Sequence, residues 1–277
     1  MELTKDITLG VYIPRNTSVH RADPRTKIVL TFWLITLLFF IKTYVAYGVY
    51  AVFTLFLVWA AQIPVGYSLK GLKPMIPVLA IMWLFQLFLQ KPDHAQVIFS
   101  LGILEATDVG LRIGNLMTIR VLLLFLITTI LTMATSMVEL TDGIEALLKP
   151  FRKIGVPSHE LALTLVIALR FVPTLAEELE KIMKAQMARG VDFQRGNVIQ
   201  KVAAIFPVFL PLFINAFKRA EDLIIAMEAR NYAGGAGRTK MRQLEMGAPD
   251  IRAFGTVILF TLLLVTVIRL FPPLIRV

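Results

Sequence analysis

Two short stretches of this chain hold the residues best suited to recognition chemistry. Ala188-Arg189-Gly190 lies in "KIMKAQMARGVDF", Ala229-Arg230-Asn231 lies in "LIIAMEARNYAGG", and the two arginines stand 41 residues apart. In both, apolar residues at helical spacing lead into Ala-Arg, and the next residue tolerates the left-handed conformation. An arginine so placed offers a planar fork of N–H donors that matches carboxylates or carbonyls on a partner, and the small alanine permits close approach. That is chemistry for holding, not for making bonds. A plainer account is two well-made helix ends. Arginine in a last turn complements the carbonyl end of the helix dipole, and Gly or Asn just beyond is the usual left-handed cap. The likeness runs further upstream, however. Acidic residues (Glu177, Glu178 and Glu180; Glu221 and Asp222) precede a Met-containing apolar turn in each case. Two similar helix ends suit two similar grooves on a pair of related partners.

Residues for catalysis are missing. The sequence has no G-x-x-x-x-G-K-[ST] phosphate loop, and "GGAGRT" at 234–239 lacks both the lysine and the spacing, so it reads as a turn. His20, His94 and His159 are scattered without paired metal-ligand spacing. The absence of Cys excludes disulfides and thiolate metal sites. Neither H-E-x-x-H nor G-x-S-x-G occurs. The expectation is a protein that is not an enzyme by itself and carries no metal or cofactor.

The elements that must position the two motifs follow from composition. Of the 277 residues 57% are hydrophobic and only 17% charged, yet the net charge is +10. So apolar a chain with a basic excess points to an integral membrane protein with its basic loops on the cytoplasmic side, rather than to a nucleic-acid binder. The first 27 residues lack the apolar core of a signal peptide, so entry begins with an internal helix that is kept. Five spans are expected, at Ile28–Ile41, Tyr44–Ala61, Pro74–Gln90, Leu116–Thr135 and Ala253–Leu270. Asp23 and Pro24 are cap and first residue of the first helix, with Arg25 and Lys27 at the headgroup level. A short amphiphilic segment lies outside the third span, between "KPDHAQ" and "EATDVGLR". None of the five spans contains a carboxylate, which a proton or ion path would need.

The segment 136–252 differs. Glu139, Asp142 and Glu145 mark the solvated side of a short helix. Two apolar runs, 160–176 and 202–217, are then interrupted by Arg170 and Pro173 and by Pro207 and Pro211. Each continues into a charged amphipathic helix that ends at one Ala-Arg pair. The preferred reading is two long helices along the cytoplasmic face; broken spans are the alternative. The organisation expected is therefore a cytoplasmic segment 1–27, transmembrane helices in 28–135, a cytoplasmic domain 136–252 and a final span in 253–277. Segments 1–27, 62–73 and 136–252 carry 5, 2 and 16 of the 29 Lys and Arg residues, which sets the N-terminus inside and the C-terminus outside.

"HRADPRTK", "PSHELALTLVIALRFVPTLAEELEKIMKAQMARGVDF" and "AMEARNYAGGAGRT" together resemble the transmembrane T component of energy-coupling-factor (ECF) transporters, of the CbiQ-like family. The resemblance covers most of the chain. In the family both motifs usually read Ala-Arg-Gly, so Asn231 departs from the pattern, though Asn is the next-best left-handed cap. The resemblance implies an all-α, L-shaped protein with a membrane bundle and a coupling domain of long helices. It also implies two ABC-type ATPase subunits as partners, docked on Ala188, Arg189 and Gly190 and on Ala229, Arg230 and Asn231. A separate membrane-embedded S component would bind the substrate, a vitamin or metal ion, and ATP-driven movement would turn it to release its load inside. Pro173, Pro207 and Pro211 would let the long helices flex, or would be simple kinks fixed by packing. Met183, Met187 and Met227 would give an adaptable platform for the S component, although core filling suits any one of them. Two other classes remain as alternatives. A lipid-modifying membrane enzyme would need clustered carboxylates or histidines on facing helices. A stand-alone secondary transporter would need interruptions in both halves of the chain, and only the second half has them.

Overall fold

The computed structural model describes residues 12–64, 66, 71–89, 97–101, 104–154, 157–193, 197–232, 234 and 244–271. Helices make up nearly all of it. In chain order they are α1 (Ser18–Arg21), α2 (Pro24–Phe40), α3 (Tyr44–Ala60), α4 (Ile76–Leu89), α5 (Asp108–Ala134), α6 (Met137–Leu148), α7 (Ser158–Ala188), α8 (Val198–Ala229) and α9 (Ala248–Leu270). Two compact units divide the chain: Val11–Ser136 with Leu244–Val277 form one, and Met137–Gln243 the main part of the other.

In the first unit α2 starts as its sequence dictates. The Asp23 carboxylate accepts the main-chain N–H of Arg25 at 2.8 Å, and Pro24 takes the first helical position, where its missing N–H costs nothing. Lys27 corrects the expectation of a side chain at the headgroups. It is 7% exposed, and its ammonium donates to the carbonyls of His20 (2.8 Å) and Ala134 (2.9 Å). The carbonyl ends of α1 and α5 supply the partial negative charge that makes this burial tolerable.

The start of α9 is tied to the same place. Asp250 is 2% exposed, and its two oxygens accept the N–H groups of Asp23 (2.7 Å) and Gly247 (2.8 Å). A carboxylate therefore sits in the first turn of the last span, ahead of the stretch read as carboxylate-free. It serves as a helix cap and a strap to α2.

The third and fourth spans meet closely. A Cβ on Gly110 would stand 2.6 Å from the Leu87 carbonyl and one on Gly114 would stand 3.2 Å from Trp83, so glycines four apart let α4 lie against α5. The Trp83 indole donates to Asn115 Oδ1 at 2.8 Å across the same contact. Ahead of α5 stands an antiparallel pair, β1 (Val97–Leu101) and β2 (Leu104–Thr107). The expected segment outside the third span is thus a hairpin, and α5 begins at Asp108, eight residues before the predicted start. Thr107 caps it by accepting the Gly110 N–H at 3.0 Å.

Leu38, Ile41, Tyr47, Tyr50, Leu123, Ile127, Phe260 and Leu264 form the core between α2, α3, α5 and α9. Tyr50 donates to the Leu34 carbonyl at 2.7 Å and meets Phe260 edge-on. Arg120 donates to the Tyr47 hydroxyl (2.8 Å) and to the Ile41 carbonyl (3.2 Å), closing the exposed end of α2.

By length and composition, four helices among the described residues can cross a membrane: Asp108–Ala134, His159–Ala188, Ile199–Ala229 and Ala248–Leu270. Tyr44–Ala60 and Lys73–Leu89 are shorter apolar helices. In the second unit α6 packs on α7, and α7 on α8. The helices α7 and α8 are unbroken through Pro173, Pro207 and Pro211, with 31 and 32 residues. They span ~46 Å and ~48 Å at 1.5 Å per residue.

Candidate docking site

Both Ala-Arg motifs close long helices, and they do so with the same backbone. Ala188 is the last residue of α7, Arg189 is its cap, and Gly190 turns left-handed at φ +91°. Ala229 is the last residue of α8, Arg230 is its cap, and Asn231 turns left-handed at φ +55°. The N–H of Gly190 bonds to the Met187 carbonyl (3.0 Å) and that of Val191 to Gln186 (3.0 Å). The N–H of Asn231 bonds to Glu228 (2.8 Å) and that of Tyr232 to Met227 (3.0 Å). These paired bonds are the Schellman pattern in both helices. Asn231 substitutes for glycine without altering the pattern, because its φ lies in the left-handed region that Asn tolerates best outside Gly.

All six motif residues are exposed. Among the described residues no hydrogen bond or ion pair engages the side chain of Arg189 or Arg230, so each fork is available to another molecule. A side chain on Gly190 would meet nothing within 4 Å, so backbone conformation alone demands glycine there.

Three contacts set the register of α7 against α8. Gln186 Nε2 donates to the Pro207 carbonyl (3.4 Å), Asn215 Nδ2 to Glu178 Oε1 (2.7 Å), and Arg219 pairs with Glu178 Oε2 (3.1 Å). As numbers fall on α7 they rise on α8, so the helices are antiparallel. Continuing 1.5 Å per residue past the Glu178 contact, the two arginine ends diverge by up to ~39 Å. The same register separates the methionines. Met183 and Met187 share the end of α7, whereas Met227 lies toward the opposite end of the pair. Met187 is exposed and the other two are half-buried.

The sequence reading missed the Glu178–Asn215–Arg219 clamp. Asn215 and Arg219 at i and i+4 were a signal for one helix face, but only the register reveals what they face. It also missed the exposed aromatic row of α8. Phe209 stacks on Phe213, and Phe213 tilts on Phe217, with about half or more of each exposed. Among the described residues no group of three His, Cys, Asp or Glu side chains could hold a metal ion. Most of "GGAGRT", together with His94, lies outside the described residues.

The family model CbiQ, described as "Cobalt transport protein", matches residues 15–241. The chain is 48% identical over 250 residues to the energy-coupling factor transporter transmembrane protein EcfT of Thermosediminibacter oceani, covering 90% of this chain and 93% of that protein. It is 44% identical to the EcfT of Ruminiclostridium cellulolyticum over 93% of this chain and 96% of the relative. It is likewise 44% identical to that of Bacillus subtilis, over 92% and 96% respectively.

Proposed function

The chain belongs to the CbiQ/EcfT family of energy-coupling-factor transporter transmembrane components, and from that premise we propose that it couples two ATPase subunits to a substrate-binding membrane partner. The observation that carries this reading is the pair of equivalent Schellman ends. Arg189 and Arg230 stand exposed on the same backbone motif at opposite ends of an antiparallel helix pair. One docking chemistry is thereby offered twice, at places far enough apart for two related subunits.

ATP binding and hydrolysis in those subunits alter the separation of the two grooves, and the clamped pair of α7 and α8 transmits the change. Glu178, with Asn215 and Arg219, keeps the helices from sliding independently. The membrane-embedded S component packs on the apolar surface of the same helices, where the Phe209–Phe213–Phe217 row, Met183 and Met187 at one end and Met227 at the other are available. That partner selects the vitamin or metal ion, so no residue of this chain specifies it. The chain itself has no phosphate loop and is not an enzyme. The N-terminus lies in the cytoplasm and the C-terminus outside, as the distribution of Lys and Arg favours.

Co-expression with a pair of phosphate-loop ATPase subunits from the same source tests the proposal. Purification through a tag on this chain is expected to recover two ATPase subunits and one further small membrane protein. Recovery of the chain free of ATPases, under conditions where both are expressed and folded, contradicts it.

A further inference from the structure

The two arginine-capped helix ends share a backbone but not a charge. Positions 180–189 at the end of α7 hold three cations, Lys181, Lys184 and Arg189, and one carboxylate, Glu180. Positions 221–230 at the end of α8 hold three carboxylates, Glu221, Asp222 and Glu228, and one cation, Arg230. The first end is therefore net positive and the second net negative. At the 41-residue offset Lys181 falls where α8 has Asp222, and Met187 falls where it has Glu228. All seven charged residues other than Glu180 are exposed. Lys184 pairs with Glu180 at 2.7 Å. Among the described residues nothing bonds to the side chain of Lys181, Glu221, Asp222 or Glu228.

The asymmetry is confined to the ends. One turn further back the signs cross, with Glu177 and Glu178 on α7 at the positions of Lys218 and Arg219 on α8. There Glu178 and Arg219 answer one another at 3.1 Å. Those four residues lie ~16–18 Å before the terminal arginines, well beyond the ~8 Å over which physiological salt screens a charge. Lys184 and Glu228 lie only ~8 Å and ~3 Å back, so they weigh most on whatever docks. Past the first arginine, Asp192 lowers the positive excess by one charge without changing its sign. The next charged residues beyond each end, Arg195 and Arg238, lie outside the described residues.

A groove that accepts an arginine at its centre can have a rim of either sign. A carboxylate rim is attracted to the end of α7 and repelled at the end of α8, and a rim of Lys or Arg does the reverse. Two copies of one subunit would offer the same rim twice and meet like charge at one end. We infer that these flanking charges set which ATPase subunit docks where: a subunit with an acidic groove rim on α7, and a different one with a basic rim on α8. The inference rests on the proposed docking role of Arg189 and Arg230, to which it adds the order of the two partners.

Site-directed crosslinking in the assembled complex tests it. The chain has no Cys, so Ala185→Cys or Ala226→Cys places a single thiol at one end for a photoactivatable crosslinker. Both positions are exposed and lie one turn before an arginine, on its face of the helix. The complex is assembled with the phosphate-loop ATPase subunits from the same source, and mass spectrometry identifies the captured chain. Each position is expected to capture a different subunit with about tenfold preference, the scale of a few partly screened charges, and less in high salt. Lys181→Asp and Lys184→Glu, combined with Asp222→Lys and Glu228→Lys, should reverse the order. Glu228→Lys alone should abolish the preference at position 226 and leave that at position 185 unchanged. Equal capture of both subunits at each position, an order that survives these substitutions, or a complex holding two copies of one ATPase subunit would overturn the inference while leaving the docking role intact. Capture of no ATPase from either position would overturn the docking role, and the inference with it.

Discussion

Gly190 and Asn231 occupy the same place in two helix ends: each turns left-handed one residue beyond a capping arginine, and each donates its N–H to the carbonyl three residues back. The 41-residue repeat in the sequence is therefore a repeat of backbone geometry, and side-chain type at the last position is secondary to it. Substitution tests this. Asn231→Gly should be neutral or mildly stabilising, whereas Asn231→Val should cost ~1–2 kcal/mol, because a β-branched residue fits the left-handed region poorly. Gly190→Val should lose at least as much, all of it backbone strain, since the surrounding space is open. Thermal unfolding of the full chain in detergent measures both, and a Val variant as stable as the parent would refute the shared cap.

Lys27→Met should be among the most damaging single changes in the first unit. The apolar stem is kept, but the His20 and Ala134 carbonyls lose a buried charged donor, at a cost of ~2–4 kcal/mol. Thermal unfolding again provides the measurement. A loss below ~0.5 kcal/mol, the scale of an ordinary surface change, would show that water replaces the ammonium without penalty.

The clamp between α7 and α8 predicts unequal losses. Removing Glu178 leaves Asn215 without its acceptor and Arg219 without its partner, so Glu178→Ala should cost ~1–2 kcal/mol. Arg219 is 42% exposed on its side chain, and solvent screens its pair. Arg219→Ala should therefore cost no more than ~0.5 kcal/mol and less still at high salt. A double-mutant cycle in low and high salt separates the two contributions; a larger, salt-insensitive loss at Arg219 would contradict the assignment.

Much of this architecture was written locally and could be read locally. Long apolar stretches announced α2, α3, α4, α5 and α9, and Asp23-Pro24 and Ala229-Arg230-Asn231 announced one helix start and one helix stop. What escaped depends on groups distant in the chain. Lys27 looked like a headgroup residue because its acceptor on Ala134 lies 107 positions away. Gly110 and Gly114 precede the span read as starting at Leu116, yet they let α5 extend back to Asp108 against α4. Prolines in α7 and α8 looked like interruptions, but Pro211 only removes a donor from the Pro207 carbonyl, and Gln186 of the neighbouring helix supplies one. The two Ala-Arg motifs were visible as a repeat, while their placement at opposite ends of one pair required the register.

The chain purified free of other subunits should hydrolyse no ATP, because its sequence holds no G-x-x-x-x-G-K-[ST] phosphate loop. A colorimetric phosphate assay on a preparation shown to lack ATPases checks this, and sustained turnover would return the enzyme reading.

The measurement closest to the central claim is ATPase capture by the Arg189→Glu, Arg230→Glu doubly substituted chain, compared with wild type at equal membrane levels. On the proposed docking, reversing both forks leaves each groove facing a charge of the wrong sign. Recovery of the ATPase subunits should fall by ~100-fold or more, the scale of an unpaired charge in a buried contact. The substituted chain should insert and unfold as the parent does, since both arginines are exposed and bonded to nothing among the described residues. Wild-type recovery of both ATPases by that chain, with normal substrate uptake, would contradict the account.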